Sequence, residues 1–264
     1  MKVLINFADK KFLNKQRQNS LSAKWFGGFD KVIEYSPTDI EKEFLDSNKK
    51  IFEQGRGFGY WLWKPYFIQK ALEQVNDGDY IFYCDSGSVF INSIDYLIAE
   101  MKESNQDVML FETPLIEFEW TNHYVFEKLN ATSDKYRLTN QILATFILIK
   151  KSQQSVQFIN KYLELCCDEL LLTDIYTKKD KCNIDHRHDQ SILSVLAKKL
   201  GIIPSKDPSD YGKFPQRYLS TNRLFRINKS DDSYPVVILS NRKQNYLIYG
   251  IKYFLRCLIS KRNY

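Results

Sequence analysis

The chain has 264 residues, 44% hydrophobic and 27% charged with a high aromatic share of 15%, enough for one sizeable globular domain or two small ones. Six of its 38 basic residues fall in positions 241–264, where no acid occurs. The remainder is balanced at 32 basic against 32 acidic, which argues against a broad nucleic-acid-binding face. No apolar run approaches the ~20 residues needed to cross a bilayer, and the apolar core of residues 1–9 is too short for a signal peptide, so a cytoplasmic protein is expected.

Residues 2–9 read as a first strand, buried on both faces and ending on Asp9. A surface-turn Asp is the plain alternative there. Residues 10–20 are polar and basic and are expected to form a loop, with Ser20 capping a short helix that ends at Gly27-Gly28. A second strand follows at 31–35. Ser36-Pro37-Thr38-Asp39 is a good helix start, carrying Phe44, Leu45, Ile51 and Phe52 inward until Gly55.

The alternation Gly55, Gly57, Gly59 is not a dinucleotide fingerprint, because Tyr60 stands where a glycine would and no strand closely precedes it. It reads as a flexible entry to a helix over 65–75. Trp61 and Trp63 share one face if this entry is extended, as core or as a sugar platform. Lys64 stands just before the helix, where its ammonium can reach a diphosphate as a point charge or remain a solvated lysine. Asn76-Asp77-Gly78-Asp79 is then a turn, and residues 80–84 an aromatic, buried strand. Asp85 sits where that strand stops, and in open α/β sheets ligands bind outside the carboxyl ends of strands. A hard cation bridging a diphosphate needs a carboxylate, and Ser86 and Gly87 leave room for one. A turn-capping Asp is the plain reading.

A helix over 94–102 capped by Ser93, and a buried strand at 108–111, continue the α/β alternation. Residues 113–120 look irregular and carry Glu117 and Glu119 beside Trp120, the kind of loop that binds acceptors. Thr121 is placed as the cap of a helix over 122–129. Asn140 and Gln141 precede an apolar strand at 142–149, and a helix carrying Cys166-Cys167 runs to about Leu172. Asp185-His186-Arg187-His188-Asp189-Gln190-Ser191 opens an amphipathic helix with Ile192, Leu193, Leu196 and Leu200 inward and Gly201 as its stop. Its first turn offers free N–H groups to an anion, or Asp189 is an ordinary cap. His186 and His188, two apart, cannot chelate one metal from a single helix.

Beyond Pro204, residues 208–212 and 214–218 read as loops and 236–239 as a last strand. Leu247, Ile251, Phe254 and Leu258 then recur at helical spacing, with Lys252 and Arg256 on another face. That is the pattern of an interfacial helix drawn to anionic lipid, or of a terminal helix packed on the body. The five cysteines have no metal-site spacing and read as reduced thiols. Asn130-Ala131-Thr132 and Asn228-Lys229-Ser230 fit the glycosylation sequon but mean little without an export signal.

Gly59-Tyr60-Trp61-Leu62-Trp63-Lys64-Pro65, Tyr83-Cys84-Asp85-Ser86-Gly87, Glu119-Trp120-Thr121, Asn140-Gln141 and the segment from His186 to Ser191 occur in that order. Together they resemble bacterial glycosyltransferases of capsule, O-antigen and lipopolysaccharide assembly, with similarity to retaining galactosyl- and glucosyltransferases of the family 8 type. The resemblance implies a single GT-A-like, Rossmann-type α/β domain over 1–240, with a mixed, mainly parallel sheet flanked by helices. Residues 241–264 would form a basic amphipathic tail on the inner face of the plasma membrane. It also implies transfer of a hexose from a nucleotide sugar, UDP-galactose among the possibilities, to a glycan or lipid-linked acceptor. Asp9, Tyr60, Lys64, Asp85 and Ser86 would bind the donor, and Glu119, Trp120 and His188 the acceptor. Asp189 would hold the sugar hydroxyls and Gln190 would face the anomeric carbon.

Inversion would instead need a carboxylate base, with Glu117, Glu119 or Asp189 available. Asp85 would hold Mn²⁺ or Mg²⁺, but Gly87 occupies the second acidic position of Asp-x-Asp. A scaffold that keeps the shape without turnover is the competing expectation.

Overall fold

The computed structural model describes residues 1–175, 183–218, 233–240 and 245–262, with side chains to Ile259. Cys182, the sequon at Asn228, and the tail residues Arg242 and Lys243 lie outside the described residues.

Strand β1 (Lys2–Phe7) is central to the main sheet because its side chains are buried on both faces. It pairs in parallel with β2 (Lys31–Tyr35) on one side and β3 (Tyr80–Cys84) on the other. Next to β3 runs β8 (Phe146–Lys150), antiparallel, and β5 (Val108–Met109) is antiparallel to β8. The order is therefore β2-β1-β3-β8-β5, with β8 alone running against the others. Among the described residues two small sheets stand beside the main sheet. One pairs β4 (Ser88–Phe90) with β10 (Ile238–Ser240); the other is ordered β7 (Asn140–Ile142), β6 (Phe111–Ile116), β9 (Ser205–Lys206).

Alternation along β1 divides the core. Val3, Ile5 and Phe7 face the helices Trp63–Leu72, Gln153–Cys166 and Asp189–Lys199, while Leu4 joins Phe82, Cys84 and Leu148 against the helix Asp95–Glu103. Asn6, on that second face, is buried against the helix Leu13–Ser22. Its amide donates to Asn19 Oδ1 (2.7 Å) and accepts from Gln16 Nε2 (3.0 Å). The inward face of this helix is polar (Gln16, Asn19, Ser20, Ser22), so the expected loop at 10–20 is corrected to a helix that hydrophobic periodicity does not reveal.

Other local expectations also change. Ser36 and Asp39 close a capping box, but around a 3₁₀ turn (Pro37–Asp39), and the α-helix starts at Lys42. Residues 113–120 are ordered, as β6 followed by the one-turn helix Glu117–Trp120. Asn122, not Thr121, caps the helix His123–Lys128, accepting from the Val125 N–H. The strand expected at 142–149 is split into β7 and β8 by a bend at residues 143–145. Leu200 is 59% exposed, because Gly201 ends the helix with φ +73° before another inward turn can form. The segments at 208–218 include two helical turns, Asp210–Lys213 and Pro215–Tyr218.

The C-terminal helix Tyr246–Arg262 packs onto the body through Tyr249 and Tyr253, against Phe214 and Leu239. Among the described residues no helix is long and apolar enough to cross a membrane. Cys84 and Cys166 are buried free thiols, and burial pushes both well up from the ordinary cysteine value.

Candidate active site

The carboxyl ends of β1 and β3 open onto a cleft of about 280 Å³ lined by Phe7, Asp9, Phe58, Trp61, Asp85 and Ser86 among others. Asp85 follows β3 directly, anchored by its N–H to the Thr145 carbonyl (3.0 Å). Tyr83, two residues earlier in the strand, shares its face and donates its hydroxyl to Asp85 Oδ1 at 2.5 Å. Ser86 donates to the Phe7 carbonyl (2.6 Å), tying β3 to β1, and Asp9 accepts from the Lys11 N–H (2.9 Å) while lining the cleft.

Lys64 begins the helix Trp63–Leu72 and is nearly fully buried. Its ammonium lies 2.6 Å from Asp189 Oδ2 and 3.9 Å from Asp85 Oδ1, over the Tyr83 ring. Asp189, on the first turn of its helix, also accepts from the Tyr162 hydroxyl at 3.2 Å. Burial pushes the Asp189 carboxyl above the ordinary value, and the Lys64 charge pulls against that. Burial, then the neighbouring carboxylates, raise both phenols, which remain hydrogen-bond donors. Gln190 follows at once: its Oε1 accepts from the Ala144 N–H (3.3 Å) and its Nε2 donates to Gln141 Oε1 (2.7 Å). The bend between β7 and β8 supplies both Ala144 and the Thr145 carbonyl, so adjacent residues of one backbone feature anchor the Gln190 side chain and the Asp85 main chain.

The glycine-rich entry is not slack. Gly57, Phe58, Gly59, Tyr60 and Trp61 all have φ between +51° and +77°, a left-handed turn that costs about 1–2 kcal/mol at each non-glycine residue. A Cβ at Gly57 would lie 2.7 Å from Trp61, and one at Gly59 2.7 Å from Phe52. The turn is held by Trp63 Nε1 donating to the Gly57 carbonyl (3.0 Å) and by Arg56 paired with Asp174 and Asp185. Trp61 and Trp63 are therefore not on one extended face, although both line the cleft.

Of the expected site residues, Asp9, Asp85 and Ser86 line the cleft; Lys64, Asp189 and Gln190 stand behind that lining, and four others are engaged elsewhere. Tyr60 is buried and donates to Asp174 (3.2 Å), outside the cleft lining. Trp120 is buried, with the Arg187 guanidinium 4.1 Å over its ring, and the Glu119 carbonyl accepts from the Ile184 and Asp185 N–H groups. These residues build the wall under the loop 183–188. His188 is buried at φ +53°, with its Nδ1–H on the Leu172 carbonyl (2.8 Å) and its ring stacked on Trp61. His186 accepts from the Asn122 N–H at Nδ1, so its Nε2–H donates to the Leu171 carbonyl (2.8 Å). Burial lowers the two imidazoles to about 3 (His186) and about 4 (His188), so both are neutral staples. Glu117, named as a possible base, has no exposure and is paired with Lys198.

No group of three His, Cys, Asp or Glu side chains placed to hold a metal occurs among the described residues. Asp85 opens on the cleft, but Asp189 is engaged by Lys64 and position 87 has no side chain. This donor set fits a cation shared with substrate phosphates and water, not one caged by protein alone.

No family model matches the sequence, and no curated protein matches it either. Among solved structures, the chain aligns with apo mouse xyloside xylosyltransferase 1 over 92% of its own length and 98% of that chain, with a TM-score of 0.51 at 12% identity. The fold is GT-A-like. A galactosyltransferase, LgtC, solved with donor and acceptor sugar analogs, aligns over 91% of this chain and 87% of that one, with a TM-score of 0.49 at 15% identity. Within the GT-A-like frame, the cleft lies where the parallel strands end, the general ligand position of open α/β sheets.

Proposed function

We propose that the chain is a glycosyltransferase that moves a hexose from a nucleotide-diphosphate sugar, with a UDP-sugar such as UDP-galactose favoured, to a glycan or lipid-linked acceptor in surface-polysaccharide synthesis. The observation that carries this reading is the cleft at the ends of β1 and β3, with Asp85 on its lining and the buried Lys64 behind it joining Asp85 to Asp189, the residue before Gln190. Asp9 reaches the nucleoside, and Phe58 and Trp61 give flat walls for stacking. Asp85 and Ser86 face the diphosphate; Mn²⁺ or Mg²⁺ shared between Asp85 and the phosphates would neutralise charge on the leaving group. Lys64 holds Asp189 behind the cleft, and by the resemblance Asp189 would bind the sugar hydroxyls.

As the anomeric C–O bond breaks, its electron pair leaves with the phosphate oxygen and positive charge grows on the sugar. Gln190 Oε1 keeps a second lone pair beyond the one used by Ala144, which would lie against that centre. Retention is supported by the burial of Glu117 against Lys198, which removes one candidate for the base that inversion requires. Glu119, Trp120 and His188 would shape the acceptor side through the loop that they hold.

A screen of nucleotide sugars with and without Mn²⁺ tests the reading. The true donor at a hundredfold excess over Kd stabilises the protein by about 2.7 kcal/mol, a melting shift of a few degrees. Asp85→Ala is expected to lower nucleoside diphosphate release at least about a hundredfold with folding intact. The Gly87 position favours one second reading, a carbohydrate-binding scaffold; glycan binding without nucleotide release in any condition would establish that instead.

A further inference from the structure

Behind Gln190 lies a buried polar chain that the transfer chemistry above does not use. Glu117 heads the one-turn helix after β6 with no exposure at all. Its Oε1 accepts from the Thr121 hydroxyl (2.5 Å) and from Gln141 Nε2 (3.2 Å), and its Oε2 accepts from the Ser194 hydroxyl and the Lys198 ammonium. Four donors on two oxygens define an acceptor-only carboxylate. Gln141, equally buried, turns its NH₂ group toward acceptors: Glu117 Oε1, the Trp120 carbonyl (3.4 Å) and the Thr121 oxygen (3.3 Å).

That environment fixes which way the Gln141 amide points. Turned over, it would set its carbonyl oxygen against a carboxylate and a backbone carbonyl, both acceptors, in a fully buried site, and such unpaired buried polar contacts cost about 1–3 kcal/mol each. The Gln141 oxygen must therefore face the other way, where it receives Gln190 Nε2 at 2.7 Å. The same logic passes to the next amide. With its nitrogen committed to Gln141, Gln190 turns its oxygen to the opposite side, toward the Ala144 N–H.

We propose that Glu117 and Gln141 are positioning residues: the buried charge of Glu117, relayed through the Gln141 amide, determines that Gln190 presents oxygen rather than NH₂ to the reacting centre. The proposal rests on the glycosyl-transfer reading for its consequence, though not for its geometry. An amide presenting NH₂ would place positive charge against an electron-poor sugar carbon; the relay removes that conformer before substrate arrives. It also gives the Glu117–Lys198 pair a use that a salt bridge in a core does not require, since an apolar pair of the same shape would pack as stably.

The test is a double-mutant cycle joined to a spectroscopic readout. Gln141→Leu leaves Glu117 with its Thr121, Ser194 and Lys198 donors and keeps the site filled. In the otherwise unchanged protein it is expected to lower kcat for donor turnover about 10- to 100-fold with little change in donor KM. In a Gln190→Ala background the same change should leave kcat within about twofold, because no amide remains to orient. Glu117→Gln, which removes the charge but not the shape, should show the same dependence on Gln190. An equal loss in both backgrounds, or none in either, would overturn the relay.

NMR of the Gln190 side-chain amide reads the same restraint without any substrate. Its NH₂ exchanges slowly in the parent protein and rapidly in Gln141→Leu; equal exchange in the two refutes the proposal. A parent protein that turns over no donor would sink the functional reading alone, with the amide measurement still deciding the relay.

Discussion

Lys64 sets the electrostatics of the cleft. Its ammonium sits between two carboxylates, with the side chain only 4% exposed, close enough to Asp189 for a charge-assisted hydrogen bond. Lys64→Met keeps most of the volume and removes the charge, leaving two carboxylates near each other beside the Tyr83 and Tyr162 hydroxyls. Breaking a buried pair by deleting one partner costs about 3–5 kcal/mol. Urea denaturation of Lys64→Met should show a loss of that size, and adding Asp189→Asn should return part of it by removing the second orphaned charge. Simple additivity of the two substitutions would contradict the pairing. As candidates, Asp85, Lys64, Asp189 and Gln190 were all visible in the sequence because each is a polar residue standing at the edge of an apolar run. Tyr83 and Tyr162 were not, since a phenol inside such a run looks like core until the fold aims its hydroxyl at a carboxylate. Tyr60, Trp120 and His188 lie in the same motifs, and in the structure their side chains are engaged with the protein itself, on Asp174, Arg187 and the Leu172 carbonyl.

The two histidines show how an element is pinned. The loop 183–188 delivers Asp189 and Gln190, and His186 and His188 nail it to the carbonyls of Leu171 and Leu172. Both imidazoles are held neutral by burial, at about 3 and about 4, against 6.5 when exposed. For a histidine whose folded value is depressed, the stabilisation is whole above pH 6.5 and is lost as the pH falls toward the folded value, because only the unfolded chain takes up the proton. Each residue therefore contributes a slope approaching 1.4 kcal/mol per pH unit below about pH 6. Urea midpoints between pH 7 and pH 5 should fall accordingly, and His188→Asn should halve the slope, since its amide can donate to Leu172 and asparagine tolerates positive φ. A flat profile would mean that the staples open to solvent. Element-level reading of the sequence failed where the inward face is polar, as in the helix Leu13–Ser22, and where φ is inverted, as in the turn at Gly57–Trp61. Neither periodicity nor glycine spacing carries the handedness of a turn.

On the scale of the molecule, the strands were legible because a sheet covered on both faces needs continuous apolar runs. The reversal of β8 was not, since strand direction depends on distant connections. The C-terminal helix was legible, and the fold packs one face of it on the body and leaves another exposed. Tyr249 and Tyr253 dock it on the body, while Leu247, Ile251, Phe254 and Leu258 are 58–79% exposed, with Ile248, Leu255 and Ile259 beside them. Lys252 and Arg256 are exposed on the same helix, and it carries no acid. An apolar stripe with only cations around it suits an anionic lipid surface, where each basic residue adds about 1 kcal/mol that salt screens away. The protein should therefore sediment with phosphatidylglycerol vesicles but not with phosphatidylcholine ones, and 0.5 M salt should release much of it. Changing Ile251, Phe254 and Leu258 together to serine should abolish vesicle binding and leave the urea midpoint unchanged, because these side chains are already in water. If the parent protein ignores the vesicles and instead dimerises with rising concentration, and the triple change restores the monomer, the stripe covers a second copy and the membrane assignment fails.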